Sequence, residues 1–296
     1  MTTRKPGFLR EKMLPVATVL AALIVLWYGG TIWLNAQPLI DRYEREGRAW
    51  EMSDLVADAM SMERPVLPAP HQVMAELDRT VLEARPDSPR SLLYHAWVTL
   101  SAALLGFAVG ALLGIALAVG IVHLRTLERS LMPWIIASQT VPILAIAPMI
   151  IVVLGSMGFV GLLPKAIISA YLCFFPVTIG MVKGLTSPEP IHLDLVRTYH
   201  ASRVQILAKL RWPAALPFLF PSLKVAVALA IVGAIVGELP TGAQAGLGVR
   251  LLTGSYYGQT VQIWAALIGA ALLAALSVAI VGAAERLSVA RMGGRP

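Results

Sequence analysis

Residue types able to do covalent or metal chemistry are few and scattered. The five histidines are His71, His95, His123, His192 and His200, and no two stand at metal-ligand spacing on one helix. Cys173 is the single cysteine, which excludes a disulfide framework and a cysteine metal site. His-Glu-x-x-His, Gly-x-Ser-x-Gly and any Gly-Lys dipeptide are missing. The signatures of zinc hydrolysis, a nucleophile elbow and a Walker phosphate loop are therefore missing too. No catalytic and no metal-binding residue is expected. What remains is the chemistry of binding and movement. Lys165, Lys224 and Glu238 are charged groups within or at the edges of apolar stretches. The two lysines read as interfacial anchors that snorkel. Glu238 reads equally as a structural group or as the lining of an outer gate.

Those groups sit in an apolar chain. Of 296 residues, 57% are hydrophobic and 14% charged, against about 25% charged in a soluble domain. Mean hydropathy is +0.73. Disorder and a water-soluble enzyme are excluded, and a polytopic membrane protein is left. The net charge of +7 comes without a dense basic run, so no nucleic-acid partner is expected.

About 20 apolar residues cross a bilayer as a helix. Six stretches qualify: Leu14–Leu34, Ala96–Val122, Leu131–Leu154, Leu163–Leu185, Ala215–Leu239 and Gln259–Ala283. None alternates with period two, so a β-barrel is not expected. Pro142, Pro148, Pro176, Pro217 and Pro221 interrupt them. Freed carbonyls need neighbouring helices or a cavity, which implies a packed bundle. Gly106, Gly110 and Gly114, and again Gly233 and Gly237, recur every fourth residue, the spacing that lets helices approach closely.

Basic residues cluster at the N-terminus (Arg4, Lys5, Arg10, Lys12), after the second span (Arg125, Arg129), after the fourth (Lys183, Arg197, Arg203, Lys209, Arg211) and at the C-terminus (Arg286, Arg291, Arg295). Both termini are then cytoplasmic. The first span reads as an uncleaved anchor, because its apolar run exceeds a signal-peptide core. Between Ser187 and Pro213, Pro188 and Pro190 suit a helix start and Pro213 a stop or bend. Leu193, Val196, Tyr199, Val204, Leu207 and Leu210 fall near helical spacing. One short amphipathic helix is predicted, lying on the bilayer or docking a soluble partner.

This loop resembles the EAA loop of binding-protein-dependent ABC importer permeases. The family pattern is Glu-Ala-Ala, three residues, Gly, nine residues, Ile, one residue, Leu-Pro. Here Asp194-Leu195-Val196, His200, Leu210 and Trp212-Pro213 stand at those positions, with His200 in place of glycine. Further matches are Leu67-Pro68-Ala69-Pro70 through Val73, Gln139-Thr140-Val141-Pro142, Ala147-Pro148, Pro164-Lys165, Phe175-Pro176, Pro213 through Lys224, and Gly237-Glu238 with Gly246-Leu247-Gly248. The branch looks like the nitrate/sulfonate/taurine permeases. Ser138–Pro142 and Gly237–Gly242 lean toward relatives moving pyrimidine precursors or riboflavin. The stretch from about Gln37 to Pro65 has no counterpart and suggests a short outward-facing helix.

The resemblance implies an all-α membrane protein with the six-transmembrane-helix type I ABC importer permease fold and a cytoplasmic coupling helix. Its expected parts are a cytoplasmic N-terminus (1–13), a first helix (14–34), an extracytoplasmic segment (35–95), a five-helix core (96–283) carrying the coupling loop 187–213, and a cytoplasmic C-terminus (284–296). Expected partners are two ABC ATPase subunits holding ATP and Mg, a second permease subunit forming a homodimer or heterodimer, an extracytoplasmic substrate-binding protein and membrane lipid, in a bacterial inner membrane. No cofactor is expected in this chain. Candidate coupling residues are Asp194, Arg197, Tyr199, His200, Ser202, Arg203 and Gln205. Candidate liners of the translocation path are Gln139, Thr140, Tyr171, Thr178 and Glu238; for Gln139 a helix–helix hydrogen bond is the equal alternative. The competing reading is a secondary transporter not driven by ATP. A membrane-bound enzyme and a membrane scaffold follow it.

Overall fold

In the computed structural model every regular element among the described residues, 8–240 and 243–291, is helical. Side chains are described for 13–240 and 243–290. The basic Arg4 and Lys5, Thr241 and Gly242 of the Gly237–Gly242 segment, and Arg295 lie outside the described residues, as do the side chains of Arg10, Lys12 and Arg291. Twelve helices are described: α1 (Phe8–Glu46), α2 (Met52–Ser61), α3 (Pro70–Asp78), α4 (Leu92–His123), α5 (Arg125–Ser138), α6 (Ile143–Ser156), α7 (Leu162–Leu185), α8 (Pro190–Thr198), α9 (Arg203–Ile206), α10 (Trp212–Glu238), α11 (Leu247–Tyr256) and α12 (Thr260–Arg291). Five helical runs are long and apolar enough to cross a membrane, and six if α5 and α6 count as one bent span. The chain divides into two units, one of residues 1–91 with 251–267, the other of residues 92–250 with 268–296.

The first unit is organised by α1. Its 39 residues make a rod of about 58 Å, nearly twice the hydrocarbon thickness of a bilayer. The far end pairs with α2, the helix expected in the Gln37–Pro65 stretch, and Leu39, Tyr43, Leu55 and Ala59 bury one another. Tyr43 donates to Asp58 at 2.5 Å. Asn35 fixes the Leu67-Pro68-Ala69-Pro70 element: its Nδ2 donates to the Leu67 carbonyl at 2.9 Å, and its Oδ1 accepts from Val66 N at 2.7 Å. Trp27 Nε1 donates to the Pro68 carbonyl at 2.9 Å. Pro70 then opens α3, a position where its missing N–H is not needed.

The second unit is built on α4, α7 and α10. Lipid offers no hydrophobic drive between helices, so close backbone approach must hold them. Glycine supplies it. A Cβ on Gly110 would lie 2.7 Å from the Ala170 carbonyl oxygen, and one on Gly114 equally close to that of Phe174. A Cβ on Gly233 would lie 2.7 Å from Ser169 Cα. Buried Ala102, Ala103, Ala118, Ala226, Ala230 and Ala234 continue the small-residue seam. Across it Ser169 Oγ donates to the Ala230 carbonyl at 2.9 Å and Cys173 Sγ to that of Ala226 at 3.1 Å.

The third apolar stretch departs from the single helix expected of it. It is two 14-residue helices, α5 and α6, bent by 99° at Gln139–Pro142. Pro142 has no N–H to continue α5 and drives Val141 out of the helical region. Pro142 then caps α6 with extended backbone (φ −63°, ψ 118°).

Glycine at 110 has a measurable consequence. Gly110→Ala is expected to cost about 1–3 kcal/mol by overpacking against backbone, lowering the thermal unfolding midpoint in detergent. Gly29→Ala, which meets open space, is expected to leave it unchanged. Equal midpoints for the two variants would contradict this seam.

Candidate coupling knuckle and buried ionic network

The 187–213 loop is two helices rather than one. Glu189 caps α8 and Pro190 opens it. The helix closes in a full Schellman arrangement: His200 N donates to the Arg197 carbonyl at 2.9 Å and Ala201 N to the Val196 carbonyl at 3.2 Å. His200 takes the left-handed conformation this motif requires, φ 56°. The histidine thus adopts the turn of the family glycine instead of altering it, at a cost of roughly 1–2 kcal/mol for an L-residue. Ser202 immediately opens the next helix with a capping box: Ser202 N donates to Gln205 Oε1 at 2.8 Å, and Gln205 N to Ser202 Oγ at 3.3 Å. From Arg203 the helix runs through a π turn, Leu207–Arg211, into α10. Pro213 does not stop it; it stands directly after the π turn that ends at Arg211.

The sequence candidates gather on this knuckle. Asp194 and Arg197 form an exposed ion pair at 3.1 Å, which contributes little energy but orients both side chains. Ser202 and Gln205 hold the second helix start. His200, Arg203 and Tyr199 are exposed, Tyr199 at 79%. The expected apolar face splits. Leu193, Val196, Leu207 and Leu210 are half-buried, whereas Ile191, Leu195, Tyr199 and Val204 stand uncovered. No residue of α8 or α9 is buried.

The path candidates do not share one cavity. Gln139 and Thr140 are exposed at the α5–α6 bend. Tyr171 donates to the Ser138 carbonyl, so its hydroxyl ties α7 to the last turn of α5. Thr178 is fully buried, with its hydroxyl on the Phe174 carbonyl at 2.7 Å. Glu238 is fully buried at the end of α10.

Around Glu238 the structure assembles a network that sequence reasoning found only in part. Lys165 Nζ stands 3.5 Å from Glu238 Oε1 and donates to the Ala245 carbonyl at 3.0 Å. Thr99 Oγ1 lies 2.9 Å from both carboxylate oxygens and accepts from Leu247 N at 2.9 Å. Gly248 N donates to Glu238 Oε2 at 2.9 Å, and Gly246 N to His95 Nδ1 at 3.0 Å. The carboxylate therefore occupies the N-terminus of α11, where orphan N–H groups and the helix dipole favour an anion. Gly246 is required here: its φ is 136°, and a Cβ would run into the Glu238 carboxylate. Lys165 is not a snorkelling anchor. It is only 7% exposed and paired inside the unit. Lys224 likewise pairs with Glu285 of α12. Thr99 is not among the sequence candidates and His95 is named only as one of five histidines, although a polar pair four residues apart in an apolar helix is itself a signal.

Glu238→Ala would leave the buried Lys165 ammonium without its counter-charge, with only the Ala245 carbonyl as acceptor, and the Gly248 N–H without its acceptor. A loss of about 3–5 kcal/mol is expected, read as a lowered unfolding midpoint in detergent. Glu44→Ala, on an exposed residue, serves as comparison. If both variants unfold together, the network does not hold the α10–α11 connection.

Residues 110–294 match the family described as the binding-protein-dependent transport system inner membrane component. A probable ABC transporter permease protein of Haemophilus influenzae is 32% identical over 219 residues, 74% of this chain and 83% of that relative. The riboflavin transport system permease protein RibX of Chloroflexus aurantiacus is 34% identical over 66% of this chain and 71% of its own. The formylaminopyrimidine transport permease protein ThiX of Halalkalibacterium halodurans is 33% identical over 67% and 73%. A family match over most of the length, on an all-helical chain with five to six membrane-capable helices, leads to one conclusion: the chain belongs to the binding-protein-dependent transport system inner membrane component family, as a multi-pass permease of ABC importers.

Proposed function

We propose that this permease couples a separate ATPase to the inward passage of a small solute, and that the α8–α9 knuckle is the point of coupling. The observation carrying this reading is the knuckle itself. It is stiffened by a Schellman turn and a capping box, yet it leaves Ile191, Leu195, Tyr199 and Val204 uncovered. A helix held rigid but buried nowhere fits a groove in another protein. Leu195, Tyr199 and Val204 supply apolar contact; Arg197, Arg203 and His200 supply polar contact at the tip. Asp194 orients Arg197, and Ser202 with Gln205 keep the second arm in register.

The knuckle continues without a break into α10. Closure of an ATPase dimer would push on one end of a rod of about 40 Å whose other end carries Glu238. In this reading both termini are cytoplasmic, ATP and Mg stay on the ATPase subunits, and a binding protein delivers solute from the other side. A second permease subunit, identical or different, completes the path between the two. Gln139 and Thr140, at the sharp break between α5 and α6, are the best placed of the path candidates, since broken helices expose backbone groups at transport sites.

Affinity purification of the tagged chain in mild detergent tests the coupling. An ATPase subunit is expected to co-purify with the native chain and to be lost from Leu195→Asp/Tyr199→Asp, whose side chains contribute nothing to the buried core. Retention of full ATPase activity by that double variant would sink the docking assignment.

A further inference from the structure

His200 is the one non-glycine residue with positive φ among those described. An L-residue in this conformation holds its Cβ too close to a carbonyl oxygen; glycine has no Cβ to place there. Such strain persists where the surrounding structure fixes the backbone, and it points to a use for the side chain. The Schellman turn fixes the backbone at 200, but it does not call for an imidazole. Nothing inside the chain offsets the strain through the ring. The side chain is exposed and makes no hydrogen bond, ion pair or ring contact with the described residues.

The charge around the ring indicates what it meets. After Asp194 no acidic residue follows until Glu238, and the Asp194 carboxylate is already engaged by Arg197 at 3.1 Å. Arg203, three positions beyond His200, is exposed and has no ion-pair partner among the described residues. The tip from Thr198 to Gln205 therefore offers a guanidinium and an imidazole without a carboxylate of its own. A surface that receives it must supply acceptors, and carboxylates make the stronger hydrogen bonds. The shape of the tip favours a protein socket over lipid headgroups. A turn locked between two capped helix ends fits one complementary socket, whereas a fluid headgroup layer asks for no particular backbone.

We propose that His200 anchors the knuckle in an acidic socket of its ATPase, with an imidazole N–H donating to a carboxylate there. The proposal rests on the docking reading and adds the chemistry of the partner's site. Arg203 adds positive charge at the edge of the same socket. Strain and binding then belong to one residue, so a variant that relieves the first loses the second.

The test takes the ATPase subunit that co-purifies with the native chain and titrates it onto the stripped full chain in nanodiscs of zwitterionic lipid. His200→Gly is expected to unfold no earlier than the native chain, yet to bind the ATPase about tenfold more weakly, the loss of one hydrogen bond to a charged group. His200→Lys, strained as the native residue is, is expected to bind more tightly than His200→Gly. His200→Asp is expected to bind more weakly than His200→Gly, because it brings a like charge to the socket. Glu44→Ala, on α1, is expected to change nothing. The proposal is overturned if His200→Gly binds as the native chain does, or if His200→Asp binds no worse than His200→Gly. It is overturned equally if the variants differ only when phosphatidylglycerol is added, which would assign the ring to the lipid surface. Leu195→Asp/Tyr199→Asp reports on the docking reading separately. If that variant loses the ATPase while His200→Gly keeps it, the anchor alone fails; if it binds normally, the docking reading fails. Absence of any ATPase on the native chain overturns both.

Discussion

The second unit depends on the absence of side chains where α4 and α10 meet α7. Gly106, Gly110 and Gly114 bring α4 onto α7, and Gly233 and Gly237 bring α10 onto it from another side. A Cβ on Gly237 would already lie 3.1 Å from Lys165 Cα. That approach places Glu238, one residue further on, within reach of Lys165. The ion pair is thus a consequence of close backbone packing, and the pinned segment at residues 245–248 is a consequence of the ion pair. A larger residue in the seam would disturb all three together. In lipid, where apolar burial gives helices little reason to choose one another, such geometry decides the arrangement.

Much of this was legible in order of residues alone. Apolar run length identifies membrane helices, because each must satisfy its own backbone in lipid. Glycine at every fourth residue marks the seam, and Pro70 and Pro190 mark helix starts. The α5–α6 break was hidden, since hydropathy over Leu131–Leu154 carries no direction and proline marks both kinks and stops. A histidine in place of glycine at 200 does not reveal the turn conformation, yet the two helix ends around it fix the backbone and the side chain complies. The polar network was half seen. Glu238 and Lys165 drew attention as charges, but 73 positions separate them, and no periodicity reports a long-range contact. Thr99 and His95 needed the fold to bring the α10–α11 connection to them.

The physical parts fit a relay. One end of α10 continues a stiff, uncovered knuckle; the other ends at a fully paired carboxylate that holds the connection to α11. Between them the helix is gripped by α7 through glycine and by α12 through the Lys224–Glu285 pair. Along α10 no glycine stands between Trp212 and Val232, and its three prolines, Pro213, Pro217 and Pro221, lie in its first half.

The central claim is that solute movement through this permease is driven by a separate ATPase. The most direct measurement is uptake of labelled solute into proteoliposomes holding the purified complex and its binding protein. The account predicts uptake only with MgATP on the knuckle side, and none with proton or sodium gradients in its absence. Gradient-driven uptake by the chain without an ATPase would contradict it.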